Sequence, residues 1–139
     1  MIVLDTNVVS ETMRPAPDRR VVGWLNAQAA DTLFLSSVTL AELLFGIAAL
    51  PAGARRDRLA RSLDRLLELF PGRVLAFDQE AARRYAPMAA EARRAGPSLT
   101  QADGFIAATA AARGFGVATR NTRHFADTGV PLVDPFAGP

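Results

Sequence analysis

The chain has 139 residues, half of them apolar and 22% charged, with a formal net charge of +2. That length and apolar share fit one folded domain over residues 1–139 and exclude a disordered, highly charged tail protein. All 16 basic side chains are arginine, there is no cysteine, and His124 is the single histidine. Disulfides and thiolate metal centres are therefore excluded, and a zinc site of the usual nitrogen and sulfur type nearly so. A charge of +2 says little about nucleic acid, although arginine suits phosphate where a bidentate contact is needed. Met1-Ile2-Val3-Leu4-Asp5 lacks the basic segment of a signal peptide, and no apolar run reaches bilayer length. The expectation is a cytoplasmic protein with no membrane contact.

In chain order, Ile2-Val3-Leu4 reads as a buried strand followed by a helix over about 6–13. Arg14-Pro15-Ala16-Pro17 breaks that helix, because proline removes a donor and restricts the residue before it. Asp18 is placed to cap a helix carrying Val21, Val22, Trp24 and Leu25, and residues 32–36 read as a second strand. Leu40, Leu43, Leu44, Ile47 and Leu50 then recur at helical spacing until Pro51-Ala52-Gly53. Leu59, Leu63, Leu66, Leu67 and Phe70 line a further helix, with Arg55, Arg56, Arg58, Arg61 and Arg65 mostly on its other side. Those arginines read first as a solvated face and second as a strip for RNA phosphates.

Residues 74–77 predict a third strand, Asp78 a cap for a helix through about Arg94, and Ala95-Gly96-Pro97 its stop. Ser98 or Thr100 starts another helix with Phe105, Ile106 and Thr109 on its buried side. Residues 116–119 and 130–133 predict a fourth and a short fifth strand. Strands alternating with helices specify an α/β domain of three layers around a mostly parallel sheet of four to five strands.

In such a sheet, ligands bind beyond the carboxyl ends of the strands. Asp5 lies at that end of the first strand, and Thr119, Arg120 and Asn121 at that end of the fourth. Glu42 follows the second strand, and Asp103 lies just inside a helix start. Each acid also has a bland reading. Asp5 is placed to cap a helix, Thr39-Leu40-Ala41-Glu42 has the form of a capping box, and Thr100-Gln101-Ala102-Asp103 has it more loosely. Other acids, such as Asp57, Asp64, Glu68 and Glu91, sit among arginines on amphipathic helices and read as surface charge pairs. Carboxylates gathered at one point repel unless a cation joins them, and oxygen-only donors select a hard ion, Mg²⁺ or Mn²⁺.

Met1-Ile-Val-Leu-Asp5-Thr6-Asn7-Val8 resembles the opening of PIN-domain proteins, and Ser36-Ser37-Val38-Thr39-Leu40-Ala41-Glu42-Leu43 their second motif. Gln101-Ala102-Asp103-Gly104-Phe105-Ile106 is similar to the third motif and Ala118-Thr119-Arg120-Asn121 to the fourth, so the likeness spans essentially the whole chain. Within the family it looks closest to the VapC and FitB-like toxins. The resemblance implies Mg²⁺ held by Asp5 and Asp103 with Glu42 completing the site, RNA as substrate, a homodimer, and inhibition by a VapB-type antitoxin. Where many PIN domains have a fourth aspartate this chain has Asn121, which brings a carbonyl oxygen but no charge.

The chemistry expected is metal-assisted phosphodiester hydrolysis, with Glu42 or Asp5 orienting or deprotonating the water, and Thr119 and Arg120 beside the phosphate. His124 reads as a capping or packing residue near the rim before a catalytic acid or base. Trp24 and Tyr85 read as core or dimer surface before base-stacking platforms. For an antitoxin, apolar docking surface is expected from the helices bearing Val8, Val9, Val22, Leu25, Leu44 and Ile47. Two rival classes remain: a phosphoaspartyl protein, disfavoured by the missing lysine and by Asn7 in place of a second aspartate, and a non-catalytic interaction module of the same fold.

Overall fold

A computed structural model describes residues 1–138; Pro139, the last residue of the expected domain, lies outside the described residues. The chain runs β1 (Ile2–Leu4), α1 (Thr6–Thr12), α2 (Arg19–Ala27), β2 (Leu33–Ser36), α3 (Ser37–Ala48) and α4 (Ala54–Leu67). It continues through β3 (Val74–Leu75), α5 (Gln79–Ala95), α6 (Gln101–Arg113), β4 (Gly116–Ala118), α7 (Thr122–Phe125) and β5 (Leu132–Val133). The five strands pair in the order β3-β2-β1-β4-β5, and every pairing is parallel.

Successive residues of a strand face opposite sides of a sheet, so a strand covered on both faces must be apolar throughout. In β1, Val3 enters one core with Val117, Ile106, Ala107, Ala110 and Phe125, beneath α5, α6 and α7. Leu4 enters the other with Ala118, Val8, Val9, Val21, Leu43 and Leu63, beneath α1 to α4. The third layer arises from that alternation.

The side-chain caps follow from the sequence. Asp18 accepts from Arg20 N, Asp78 from Ala81 N, and Thr100 from Asp103 N, each closing a donor left open at a helix start. Three expectations are corrected. The third strand ends at Leu75 rather than 77, because Phe77 turns out of the ladder and its N–H donates to Ser37 Oγ, 3.1 Å away. The fifth strand is only Leu132–Val133. The capping box at residues 39–42 is absent: Ser36 caps α3 and its side chain accepts from Thr39 N, which leaves Glu42 more than a turn inside the helix.

The strand order places the site. The chain adds β2 and then β3 on one side of β1, and crosses to the other side for β4 and β5. The loops leaving β1 and β4 therefore diverge to opposite faces of the sheet and open a crevice between them. Asp5 and Thr119 are the first residues past those two strand ends.

Candidate active site

Asp5 is 3% exposed, and its carboxylate is held on both oxygens. Oδ1 accepts from Thr6 N at 2.8 Å, and Oδ2 accepts from the Thr119 hydroxyl at 2.7 Å and from Asn7 Nδ2 at 3.1 Å. Its pKa is pushed up from 3.8 to about 6, first by burial; the Thr119 and Thr6 hydrogen bonds oppose that rise, and the charges of Asp103 and Glu42 add to it. Burial disfavours the ionised form, donors favour it, and like charges nearby disfavour it again. The two other acids thus lie within electrostatic reach of Asp5.

Thr119 is buried and fully engaged. Its Oγ1 donates to Asp5 and accepts from Asn121 N at 2.9 Å and from Asn7 Nδ2 at 3.3 Å. One proton and two lone pairs are all a hydroxyl has. No proton is left for a further acceptor.

Glu42 is exposed on α3, and its Oε1 accepts from the Thr6 hydroxyl at 2.6 Å. Thr6 Oγ1 also lies 3.2 Å from buried Thr39 Oγ1, so the turn after β1 is tied to α3 through side chains. Asp103, in the first turn of α6, has its N–H capped by Thr100, and its Oδ2 lies 3.7 Å from His124 Nδ1. Asn121 occupies the N-cap position of α7 without a side-chain cap bond, leaving its amide at the rim. Arg120 presents its N–H to Asn7 Oδ1 at 3.1 Å, while its guanidinium lies over the Phe136 ring, 3.8 Å from the centroid, and 4.0 Å from Glu11 Oε1.

Three residues escaped the sequence reading. Asn7 bridges both sides of the crevice, donating to Asp5 and Thr119 and accepting from Arg120 N. Thr6 links Asp5 to Glu42. Glu11, 5% exposed, accepts from Asp18 N at 2.9 Å and pairs with Arg14 at 3.3 Å, which fastens the break between α1 and α2. The only signal for Asn7 and Thr6 was their place in the first turn after a strand-end aspartate, where short polar side chains face the same rim. Glu11 gave none.

Tyr85 does belong to a packed cluster, its ring centroid 4.7 Å from Phe105 and 6.3 Å from Phe77. Trp24 packs partly buried against the core under α1 to α4. Arg55 and Arg58 line a groove of about 750 Å³ that runs from Glu42 past Ile47 and Leu59 to Met13. Val8 and Val9 offer no docking surface, being 0% and 1% exposed; on α3 the accessible large apolar residues are Leu44 at 51% and Phe45 at 75%.

The family model for the PIN domain matches residues 2–131. The chain belongs to the PIN-domain family. This PIN domain is 50% identical to the VapC ribonuclease Y4jK of Sinorhizobium fredii over 137 residues, 98% of each chain. It is 42% identical to the toxin FitB of Neisseria gonorrhoeae, again over 137 residues, 98% of this chain and 99% of FitB. The crystal structure of FitAcB from Neisseria gonorrhoeae superposes with a TM-score of 0.91, covering 98% of this chain and 99% of that one at 42% identity. The expected fold is thereby established, and the phosphoaspartyl alternative is removed with it.

Proposed function

We propose that this PIN domain is the toxin of a toxin–antitoxin pair and acts as a divalent-metal-dependent endoribonuclease in the cytoplasm, with residues 1–139 forming one catalytic domain. The observation that carries the reading is Asp5: a carboxylate at the switch point of a parallel sheet, oriented through both oxygens and pushed toward protonation first by burial, with two further acids adding to it. Such a site costs stability unless a cation answers its charge.

The donor set fits a hard ion in kind, being carboxylate oxygen with one amide oxygen nearby. Among the described residues no three Asp, Glu or His side chains already stand close enough to hold one ion. Direct ligation by Asp5 and Asp103, with water filling the other positions and Glu42 reached through water, agrees with how Mg²⁺ is generally bound. A bound Mg²⁺ or Mn²⁺ supplies Lewis-acid polarisation of a phosphoryl oxygen and an acidified water.

The chain's own groups do the rest. Thr119 and Thr6 N–H keep Asp5 aimed and favour its ionised form, so Thr119 orients the carboxylate instead of touching the phosphate. The Thr6 hydroxyl holds Glu42 at the mouth, where its free oxygen can take the proton of the attacking water. Arg120 and the Asn121 amide flank the rim beside the phosphate path. Arg120 is already braced by Phe136 and Glu11, so ordering it on a substrate costs little.

The partner proposed is a VapB-type antitoxin, with a homodimer of this chain as the working form. A relative solved from Mycobacterium tuberculosis, 26% identical, is by its name a member of the VapBC family of toxin–antitoxin systems. The groove beginning at Glu42 and lined by Leu43, Ile47 and Leu59 can take a partner segment whose cationic end reaches the acids.

Two measurements test the reading. Purified protein should cleave RNA with Mg²⁺ or Mn²⁺, lose that activity on chelation, and lose it in Asp5→Asn with the fold intact. Growth should stop when the chain is expressed alone and recover when the neighbouring upstream gene is co-expressed. Cleavage that survives both chelation and Asp5→Asn, or equal growth in every case, would overturn it.

A further inference from the structure

The chain's single histidine stands against one of the proposed metal ligands, and the mechanism has not used it. His124 Nδ1 lies 3.7 Å from Asp103 Oδ2. That separation is too long for a hydrogen bond, though a protonated imidazole there would pair with the carboxylate at ion-pair distance. Asp103 accepts no side-chain hydrogen bond among the described residues; only its backbone N–H is engaged, by Thr100. Two good donors therefore face each other across a gap, and a cation between them would give each a bond.

His124 is also fixed to the buried end of the site. Asp5 Oδ2 accepts from Thr119 Oγ1 at 2.7 Å, Thr119 Oγ1 accepts from Asn121 N at 2.9 Å, and His124 N donates to Asn121 O at 2.9 Å. Three consecutive hydrogen bonds thus tie the start of α7 to the Asp5 carboxylate. The imidazole side chain is 43% exposed, so a solvated ion can reach it.

We propose that His124 is a nitrogen ligand of the divalent ion at this site, beside Asp103, and that it gives this PIN domain a preference for Mn²⁺ over Mg²⁺. The inference rests on the metal reading above. Imidazole is a poor donor for Mg²⁺, whose affinity lies with carboxylate and water, and a better one for first-row transition ions. Asn121, bringing no charge, leaves the imidazole as the added donor on this side of the crevice.

The test uses the whole chain and the metals alone. Wild-type protein loaded with Mn²⁺ is examined by pulsed EPR for coupling to a directly bound ¹⁴N, and Mn²⁺ and Mg²⁺ affinities are measured by calorimetry. We expect nitrogen coupling in the wild type and none in His124→Ala or His124→Gln. The ratio of Mn²⁺ to Mg²⁺ affinity should fall by at least about tenfold in both variants, a loss usual even for residues one step behind a ligand. Because the coupling is read on the wild type, a variant that folds poorly does not blunt the test. Mn²⁺ that binds, and is lost in Asp103→Asn, yet shows no nitrogen coupling overturns this inference alone. A wild type that binds neither ion overturns the metal reading with it.

Discussion

Asp5 shows how one residue couples the site to the stability of the whole domain. Its folded pKa of about 6 stands above its ordinary 3.8, so between those values the folded protein holds a proton that the unfolded chain has released. The stability this contributes is full below about pH 4 and is lost as the pH rises through about 6. Two pKa units correspond to about 2 to 3 kcal/mol. We predict that the metal-free protein loses stability of that order between pH 4 and 7.5 in denaturant titrations, and that Asp5→Asn flattens the slope. Added Mn²⁺ should flatten it too, because a cation favours the ionised carboxylate. A second prediction concerns Thr119→Val, which keeps the shape but removes the donor on Asp5 Oδ2. Nuclease rate should fall by about ten- to a hundredfold, and melting should show a loss of about 1 to 3 kcal/mol from the stranded Asn7 and Asn121 donors. Wild-type rates in this variant would mean that Asp5 needs no orienting partner. Asp5 and Thr119 were legible because a polar residue directly after an apolar strand in an α/β pattern can only sit at the carboxyl rim. Asn7, Thr6 and Glu11 were not, because their roles depend on partners up to 113 residues away.

Among the elements, α6 carries the tightest constraint. A Cβ on Gly104 would stand 2.7 Å from Tyr85 Cε1 and 3.3 Å from its Cδ1. Tyr85 has little freedom to retreat, with Phe105 and Phe77 around it. Within a helix, glycine to alanine would ordinarily gain about 1 kcal/mol, and overpacking a well-filled contact costs about 1 to 3 kcal/mol. The clash should win. We predict that Gly104→Ala lowers stability in a thermal melt and displaces the turn bearing Asp103, so nuclease activity falls as well. A stabilised and fully active variant would show that the Tyr85 ring swings freely. Element type was readable here from periodicity, and helix starts from Asp18 and Asp78, while for α6 the sequence left Ser98 or Thr100 and the structure has Thr100. Strand ends were less so: apolarity continues through Ala76 and Phe77, but the ladder stops where Phe77 N finds Ser37 instead of a neighbouring strand. The box-like spacing of residues 39–42, the rival reading for Glu42, fails for a related reason, since Ser36 had already taken the capping role.

At the scale of the molecule, the sheet order is what sequence could not supply. Apolar alternation shows that strands exist; it does not say that β4 returns to lie beside β1. That adjacency makes the crevice. Elsewhere on the surface, α3 carries Phe45 75% exposed. An aromatic so exposed is a characteristic anchor for a partner. We predict that Phe45→Glu leaves melting temperature and nuclease rate near those of the wild type. It should weaken antitoxin binding by about 2 kcal/mol or more in calorimetry, the scale of an interface anchor. Unchanged binding would move the docking surface away from α3.

The two halves of the Asp5–Thr119 contact are 114 residues apart in a chain of 139. Synthesis therefore makes the acidic end of the crevice almost first and its orienting hydroxyl almost last. A nascent chain with Thr119 still inside the ribosome has its carboxylate but neither β4 nor α7 against it. The same long separation that slows folding defers assembly of this contact until nearly the whole polypeptide has emerged, so the nascent chain carries an incomplete site for most of its synthesis.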